Sequence, residues 1–402
     1  MKQPQSITHL CAASMKRRVL SGLSLAMIWL AGTMNVQGQI YVQSQNVFQK
    51  TYTGPTGFSD VAINEFEPGF IFTGVVDAGA SVDPYMIKTD YDGQKIWYNS
   101  YGNAFPDGAS GVTWNVDNEL ALTGHRDQGS SGSALEEQVL THKTTGNGGS
   151  TWTRAVGDTK SEIGRAIDNY WSPGTQSIID GFVTVGEVDL GSTQEKAVVT
   201  HLKGDGSLMY NKHFTFSSGP AGATDIDIPN NTFDLFVAVN VKGSFAYPAV
   251  MNLDLFTAGI NWSRGLGGDG FDNAKIVATR YVQYDNTVLM VGTTALVSGN
   301  SDIFVAKLKA DGTGYNWAVT YDIGGVDVAA GVAVNADGTI VIGGNSDAAG
   351  PGSQNGFLMK ITNNGYPIFT TGYGGVGNHT FNALNNAPNG GVIAVGASDG
   401  LG

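Results

Sequence analysis

Cysteine is almost missing from this chain. The single Cys11 precedes the apolar run of residues 19–31, and no cysteine follows that run where a lipid anchor would attach. Disulfides, a thiol nucleophile and a cysteine-bound metal are thereby excluded from the mature protein. A domain of this size does without disulfides, because roughly three quarters of its unfolded surface is buried on folding. Long apolar stretches are scarce too. No run outside the N-terminal segment approaches the roughly 20 residues that span a bilayer, so no membrane insertion is expected. Positive charge is the third shortage, with 22 Lys and Arg against 35 Asp and Glu and a net charge of -13. So acidic a surface repels phosphate backbones and anionic lipid, which argues against a nucleic-acid partner. Local catalytic motifs are lacking as well: there is no Gly-x-Ser-x-Gly elbow and no phosphate loop. No His-x-x-x-His or His-x-His spacing offers a zinc site. No catalytic residue, metal or cofactor is assigned.

The N-terminus does carry a pattern. Lys16-Arg17-Arg18, the apolar run Val19 to Ala31 and the small-residue site Val36-Gln37-Gly38 have the layout of a signal peptide. Residues 1–38 are read as that leader, and residues 39–402 as one exported domain, secreted or at the cell surface, with the periplasm as the alternative. Removing Lys2, Lys16, Arg17 and Arg18 takes the formal charge from -13 to -17.

Within that domain three marks recur. An aromatic opens a strand after a turn at Phe48, Trp97, Trp152, Tyr210, Trp262, Trp317 and Phe369, with spacings of 49 to 58 residues. A polar residue closes the strand before the turn at Gln43, Lys88, His142, His201, Asn252, Lys307 and Lys360. An apolar strand ends at Gly74, Gly124, Gly186, Asn240, Gly292, Gly343 and Gly396. Each unit holds four short strands rich in Val, Ile, Thr and aromatics, and no helical period intervenes. The turn between the third and fourth strands carries Asp-Gly or Asn-Gly, as at Asp311-Gly312, which supplies the positive φ of a two-residue hairpin. Repeats of four antiparallel strands arranged radially predict a β-propeller, here of seven blades. The last unit stops after two strands, so the N-terminal segment from Gln39 to Thr53 is expected to complete it.

The pattern aromatic-x3-Tyr-Gly-Gly, Asp and Ala, an apolar strand ending in Gly, then "FVAK" and Asp-Gly resembles the SBBP-type bacterial β-propeller repeat. It is carried best by "WSRGLGGDGFDNA", "WAVTYDIGGVDVA" and "FTTGYGG". The resemblance implies a secreted or surface propeller and no single activity. "TGNGGSTW" around Trp152 resembles a sialidase Asp-box, itself a structural hairpin, but the arginine cluster and Arg-Ile-Pro motif of a sialidase are missing. "GGDGFDNAK" matches one copy of a calcium-binding nonapeptide, where stacked copies would be needed to share each ion.

Antiparallel order puts the second-to-third and blade-to-blade connections on one face, where they are long, and the tight turns on the other. Binding residues favour long loops on a rigid scaffold. His125, Arg126 and Asp127 lie in one such loop; Arg264, Asp269 and Asp272 lie in another. Arginine presents a planar fork of donors suited to carboxylates and sugar hydroxyls. These six are the candidate ligand-binding residues. The function expected is a non-enzymatic binding or structural module for a protein or glycan. The alternative is a polysaccharide hydrolase or lyase using channel-mouth carboxylates and His125.

Overall fold

The computed structural model describes residues 55–399 apart from short stretches, the longest being 128–136 and 171–180, together with the strand backbones of 25–28, 37–43 and 49–52. It is an all-β propeller. Six antiparallel sheets each contain four consecutive strands: blade 1 spans residues 55–100, blade 2 107–156, blade 3 162–214, blade 4 221–265, blade 5 275–321 and blade 6 327–373. In blade 5 the order from channel to rim is Lys275–Val282, Thr287–Thr293, Ile303–Lys309 and Tyr315–Tyr321.

The expectation of seven four-stranded blades is therefore corrected to six. The remaining sheet has five strands, in the order Leu25–Ile28, Gln49–Tyr52, Gln37–Gln43, Gly391–Ser398, His379–Ala387. Its strands come from both ends of the chain rather than from four consecutive segments. Gln37–Gln43 meets Gly391–Ser398 at Gln37↔Ser398 and Val42↔Ile393, in a single register. Leu25–Ile28, inside the expected leader, is one of the five. Phe48, which marked the outer strand of the seventh unit, lies outside the described residues.

Each blade buries both faces, so its middle strands read as near-continuous apolar runs rather than alternating ones. Successive residues of one strand serve different neighbours. In Asp234–Val241, Leu235, Val237 and Val239 pack in the core shared with blade 3, while Phe236 and Ala238 pack against Ile276, Val288 and Met290 of blade 5.

The recurrent aromatics explain themselves at the rim. Trp97, Trp152, Trp262 and Trp317 each donate their indole N–H, at 3.0 Å, to a carbonyl in the next blade's turn: Gly146, Gly204, Ala310 and Asn363. Tyr210 reaches Leu255 of blade 4 in the same way, at 3.0 Å. The turn glycine serves two ends at once. Gly312 has φ +73°, and a Cβ there would lie 2.6 Å from the Trp262 ring, so only glycine admits both the turn and the indole.

Three of the register marks shift by one residue. Opposite Trp152 stands Lys143, with His142 opposite Thr153, so Lys143 is the counterpart of Lys88 and Lys307. His142 is a buried side residue, its Nδ1 2.7 Å from Thr153 Oγ1. Every inner strand contains a bulge, and the residue opposite its first half is Gly74, Gly124, Gly186, Val239, Gly292, Gly344 or Gly396. The marks Asn240 and Gly343 each fall one residue off this position. The reason for glycine is close approach: a Cβ at Gly124 would sit 1.8 Å from the Gly108 carbonyl oxygen.

Candidate functional site at the central channel and its long-loop mouth

The bulges decide what lines the channel. Each extra residue leaves the ladder and turns its side chain inward. Ser59, Ser110, Arg165, Thr224, Val277 and Ala330 of the six blades, with Asn382 of the closing sheet, surround a cavity of about 150 Å³. These residues lie near the starts of the inner strands, so this cavity is the end of the channel toward the long-loop face. A second cavity of about 240 Å³ lies toward the tight-turn face, lined by Asp60, Trp114, Asp168, Asp227 and Asn385 among others. Arg280, Asp60 and Asp225 border both.

The channel carboxylates tie blade to blade. Asp60 accepts the amide of its neighbour Val61 at 2.8 Å and that of Val112 in blade 2 at 2.9 Å. Asp168 does the same with Asn169 and with Ile228 of blade 4, both at 2.8 Å. Asp225 and Asp227 of blade 4 accept the amides of Thr279 and Tyr281 in blade 5, at 2.8 and 2.7 Å. Arg280 stands among them, its Nη1 3.2 Å from Asp225 Oδ2 and 3.9 Å from Asp227 Oδ1. Burial pushes the Asp60 and Asp168 carboxyls up to about 7, and Asp227 adds to the rise at Asp168. Burial also raises Asp225 and Asp227, against the pull of Arg280. For Arg280 burial opposes the charge, but Asp225, Asp227, Asp168 and Asp60 outweigh it and hold the guanidinium above its ordinary value.

The six residues singled out in the sequence fall into two separate groups. His125, Arg126 and Asp127 end the second strand of blade 2. His125 Nε2 is 3.9 Å from Glu137 Oε1, and Arg126 Nε is 3.8 Å from the buried Asp107 Oδ2. Burial lowers the His125 pKa, Glu137 opposing and Arg165 assisting. Burial likewise lifts the Asp107 carboxyl to about 6 despite Arg126. His125 follows the bulge-opposing Gly124. Residues at the same position elsewhere, Asn240, Thr293 and Asn345, accept an amide from the next inner strand, from Ile276, Ala329 and Phe381 at 2.9, 3.0 and 2.6 Å.

The other group lies between blades 4 and 5. Arg264 is 3.7 Å from Asp269 and lies over the Tyr315 ring, 4.8 Å from its centroid. The Tyr315 hydroxyl donates to Asp269, and Asp272 accepts the Gly268 amide at 2.8 Å. Asp272 thus organises the glycine turn. The acids paired with His125 and Arg126 lie in blade 2, and the partners given for Arg264 and Asp272 lie in blade 5 and the loop joining it to blade 4.

Sequence reading missed two cations on the same face. Arg165, the bulge residue of blade 3, binds Glu187 at 2.9 Å, and Lys242 of blade 4 binds the other oxygen of Glu187 at 2.9 Å and also reaches Glu195. The cations sit outward and their acids inward: Arg165 is 41% and Lys242 44% exposed, against 8% for Glu187 and 4% for Glu195. Arg126 repeats the arrangement at 27% over Asp107 at 0%. The one signal for Arg165 in the sequence is its place one residue after Gly164, where a bulge turns it into the channel mouth.

Among the described residues the carboxylates of Asp302, Asp322 and Asp327 lie within 4.8 Å of one another. The Asp327 oxygen Oδ2 already accepts the Ile323 amide at 2.7 Å, and Asp322 accepts that of Gly324 at 2.7 Å. Those bonds shape the Gly324-Gly325 loop.

No family model and no curated protein matches this chain. Among solved structures, Sqt1 from Chaetomium thermophilum aligns with a TM-score of 0.49 at 9% identity, covering 83% of this chain and 76% of that one. The Pan2 WD40 domain from Neurospora crassa aligns at 0.49 with 12% identity, over 87% and 90%. Quinohemoprotein alcohol dehydrogenase from Comamonas testosteroni aligns at 0.48 with 10% identity, over 90% and 64%.

Proposed function

We propose that this chain is an exported, non-enzymatic propeller of the SBBP-repeat kind that binds a protein or glycan on its long-loop face. The observation that carries the reading is the layering of charge there. Arg126, Arg165 and Lys242 are presented to solvent while the acids that fix them are buried. Acidic groups dominate the chain as a whole, so these cations make the face distinctive toward a partner bearing carboxylates or sulfates. Export rests on the Lys16 to Gly38 pattern. The test is binding of the parent to a glycan array and to secreted proteins from its source, repeated with Arg165→Ala and Lys242→Ala together. Retention of any detected ligand by the double variant sets the site elsewhere.

One observation favours a second reading. Asp60 and Asp168 border a cavity with carboxyls near 7, the range suited to acid and base work. Both already hold two backbone amides, which is why binding ranks first. Turnover of a polysaccharide by the parent, abolished in Asp168→Asn, would reverse the order.

A further inference from the structure

On the tight-turn face, a lysine at the polar register mark links three blades to the next. Lys88 of blade 1 pairs with Glu67 at 3.0 Å and donates to the Gly146 carbonyl in the blade 2 turn at 3.4 Å. Lys143 of blade 2 pairs with Glu119 at 2.8 Å and donates to the Gly204 carbonyl of blade 3 at 2.9 Å. Lys307 of blade 5 pairs with Asp285 at 2.5 Å and reaches the turn of blade 6. There the residue equivalent to Gly146 and Gly204 is Asn363, and its side-chain amide enters the contact.

Three groups converge at that point. The Lys307 ammonium, 1% exposed, donates to Asn363 Oδ1. Asp285 Oδ2 accepts from Lys307 Nζ and, at 2.7 Å, from Asn363 Nδ2. Asn363 is held in register because Trp317 donates to its backbone carbonyl at 3.0 Å. A buried amine thus touches the oxygen of a carboxamide, with one carboxylate touching both the amine and the amide nitrogen.

We propose that Lys307 and Asn363 form an intramolecular isopeptide bond, with Asp285 as the proton carrier. Asp285 takes a proton from the Lys307 ammonium, and the freed amine attacks Cγ of Asn363. The Nζ–Cγ bond forms. The proton passes from Asp285 to Nδ2, the Cγ–Nδ2 bond breaks, and Asp285 takes the second proton from Nζ and hands it to the departing ammonia, which leaves as ammonium. No oxidant or other reactant is consumed. The rigid blades supply the proximity that makes an otherwise sluggish aminolysis unimolecular. Burial pushes the Asp285 carboxyl up, but its bonds from Lys307, Thr287 and Asn363 outweigh this and hold it in the anionic form that starts the transfer. Blades 1 and 2 supply internal controls, since Lys88 and Lys143 meet glycine turns that offer no side-chain carbonyl.

The test is peptide mapping of the full folded chain by tandem mass spectrometry. A branched peptide joining Lys307 to Asn363, lighter than its two parts by one ammonia, about 17 Da, is expected, with Lys88 and Lys143 in linear peptides. Cyclisation of an N-terminal glutamine loses the same mass, so the branch point decides rather than the intact mass. Asp285→Asn should leave the two peptides separate. Asn363→Gly, which copies the turn of blade 3, should do so in a chain that still melts cooperatively. Linear Lys307 and Asn363 peptides from folded parent protein, after prolonged incubation near neutral pH, would overturn the bond and leave an ionic latch. A branched peptide persisting in Asp285→Asn would overturn the role given to Asp285.

Discussion

The rim and the channel solve one problem, fastening each blade to the next, with opposite chemistry. At the rim a side chain donates a hydrogen bond to a turn carbonyl: Trp262 to Ala310, Trp317 to Asn363, Tyr210 to Leu255. In the channel a carboxylate takes a backbone amide: Asp60 from Val112, Asp168 from Ile228, Asp227 from Tyr281. The rim latch also buries a large ring on a glycine turn, so its strength is mostly packing. The channel latch gathers like charges around a single arginine, so its strength depends on pH. One propeller therefore has a hydrophobic fastening outside and a titratable one inside.

The largest expected effect comes from cutting the rim. Trp317→Ala removes an indole that packs on Gly365 and bonds Asn363, and should cost about 3 kcal/mol in chemical denaturation. A loss below about 1 kcal/mol would mean the rim is not where the strength lies.

Next come the bulge glycines. Gly186→Ala puts a methyl 1.8 Å from the Ile163 carbonyl oxygen, whereas Gly343→Ala meets nothing nearer than 3.6 Å. The first should destabilise by about 2 kcal/mol or more and the second by well under 1. Equal melting temperatures for the two variants would contradict the corrected register.

The pH dependence separates the two fastenings. Asp60 and Asp168 titrate near 7 in the folded chain, above the ordinary value of 3.8. The folded state then holds extra protons, and this contribution is present in full below the unfolded value and lost as pH rises through about 7. Asp285 at the rim is held below 3.8, so its contribution is present above that value and lost as pH falls through the lower folded one. The melting temperature should therefore rise on going from about pH 8 to about pH 5.5 and fall again below about pH 4. Asp168→Asn should flatten the alkaline limb. A curve that is level between neutral and mildly acidic pH in the parent would deny the inner ring its titratable character.

The smallest effect belongs to a single interblade hydrogen bond. Thr293→Val leaves the Ala329 amide, bonded at 3.0 Å to Thr293 Oγ1, without its acceptor, and should cost about 1 kcal/mol. Amide hydrogen exchange at Ala329 reads it directly, and unchanged protection there would count against the link.

Much of the rim was legible in the sequence. Trp97, Trp152, Trp262 and Trp317 recur with Asp-Gly or Asn-Gly turns because at those blade boundaries an indole packs on a positive-φ glycine, whereas at the blade 4 turn Tyr210 takes the place of the indole and Ala258 carries the positive φ. Four-stranded antiparallel repeats followed from the same spacing. The blade count overshot, since Phe48 and Gln43 continued the pattern into a sheet whose strands come from both chain ends. The marks His142, Asn240 and Gly343 slipped by one residue because a bulge changes which residue faces which without changing composition.

The channel was not legible. Asp60, Asp168 and Asp225 look like any acidic residues in Val- and Ala-rich strands, and Arg165 and Lys242 stand in no motif. Their roles arise from which blade lies next to which, a relation between residues some 50 or more positions apart, as with Asp60 and Val112 or Asp168 and Ile228. The sequence by itself determined the strand repeat, the turn chemistry and the aromatic rim, because these depend on contacts within one unit or on residues that every unit must repeat. Only the tertiary structure decided the six-blade count, the register at the bulges, the ring of carboxylates around Arg280 and the meeting of Lys307, Asp285 and Asn363. Each of those depends on distant segments brought together by closure, and closure leaves no local trace in the chain.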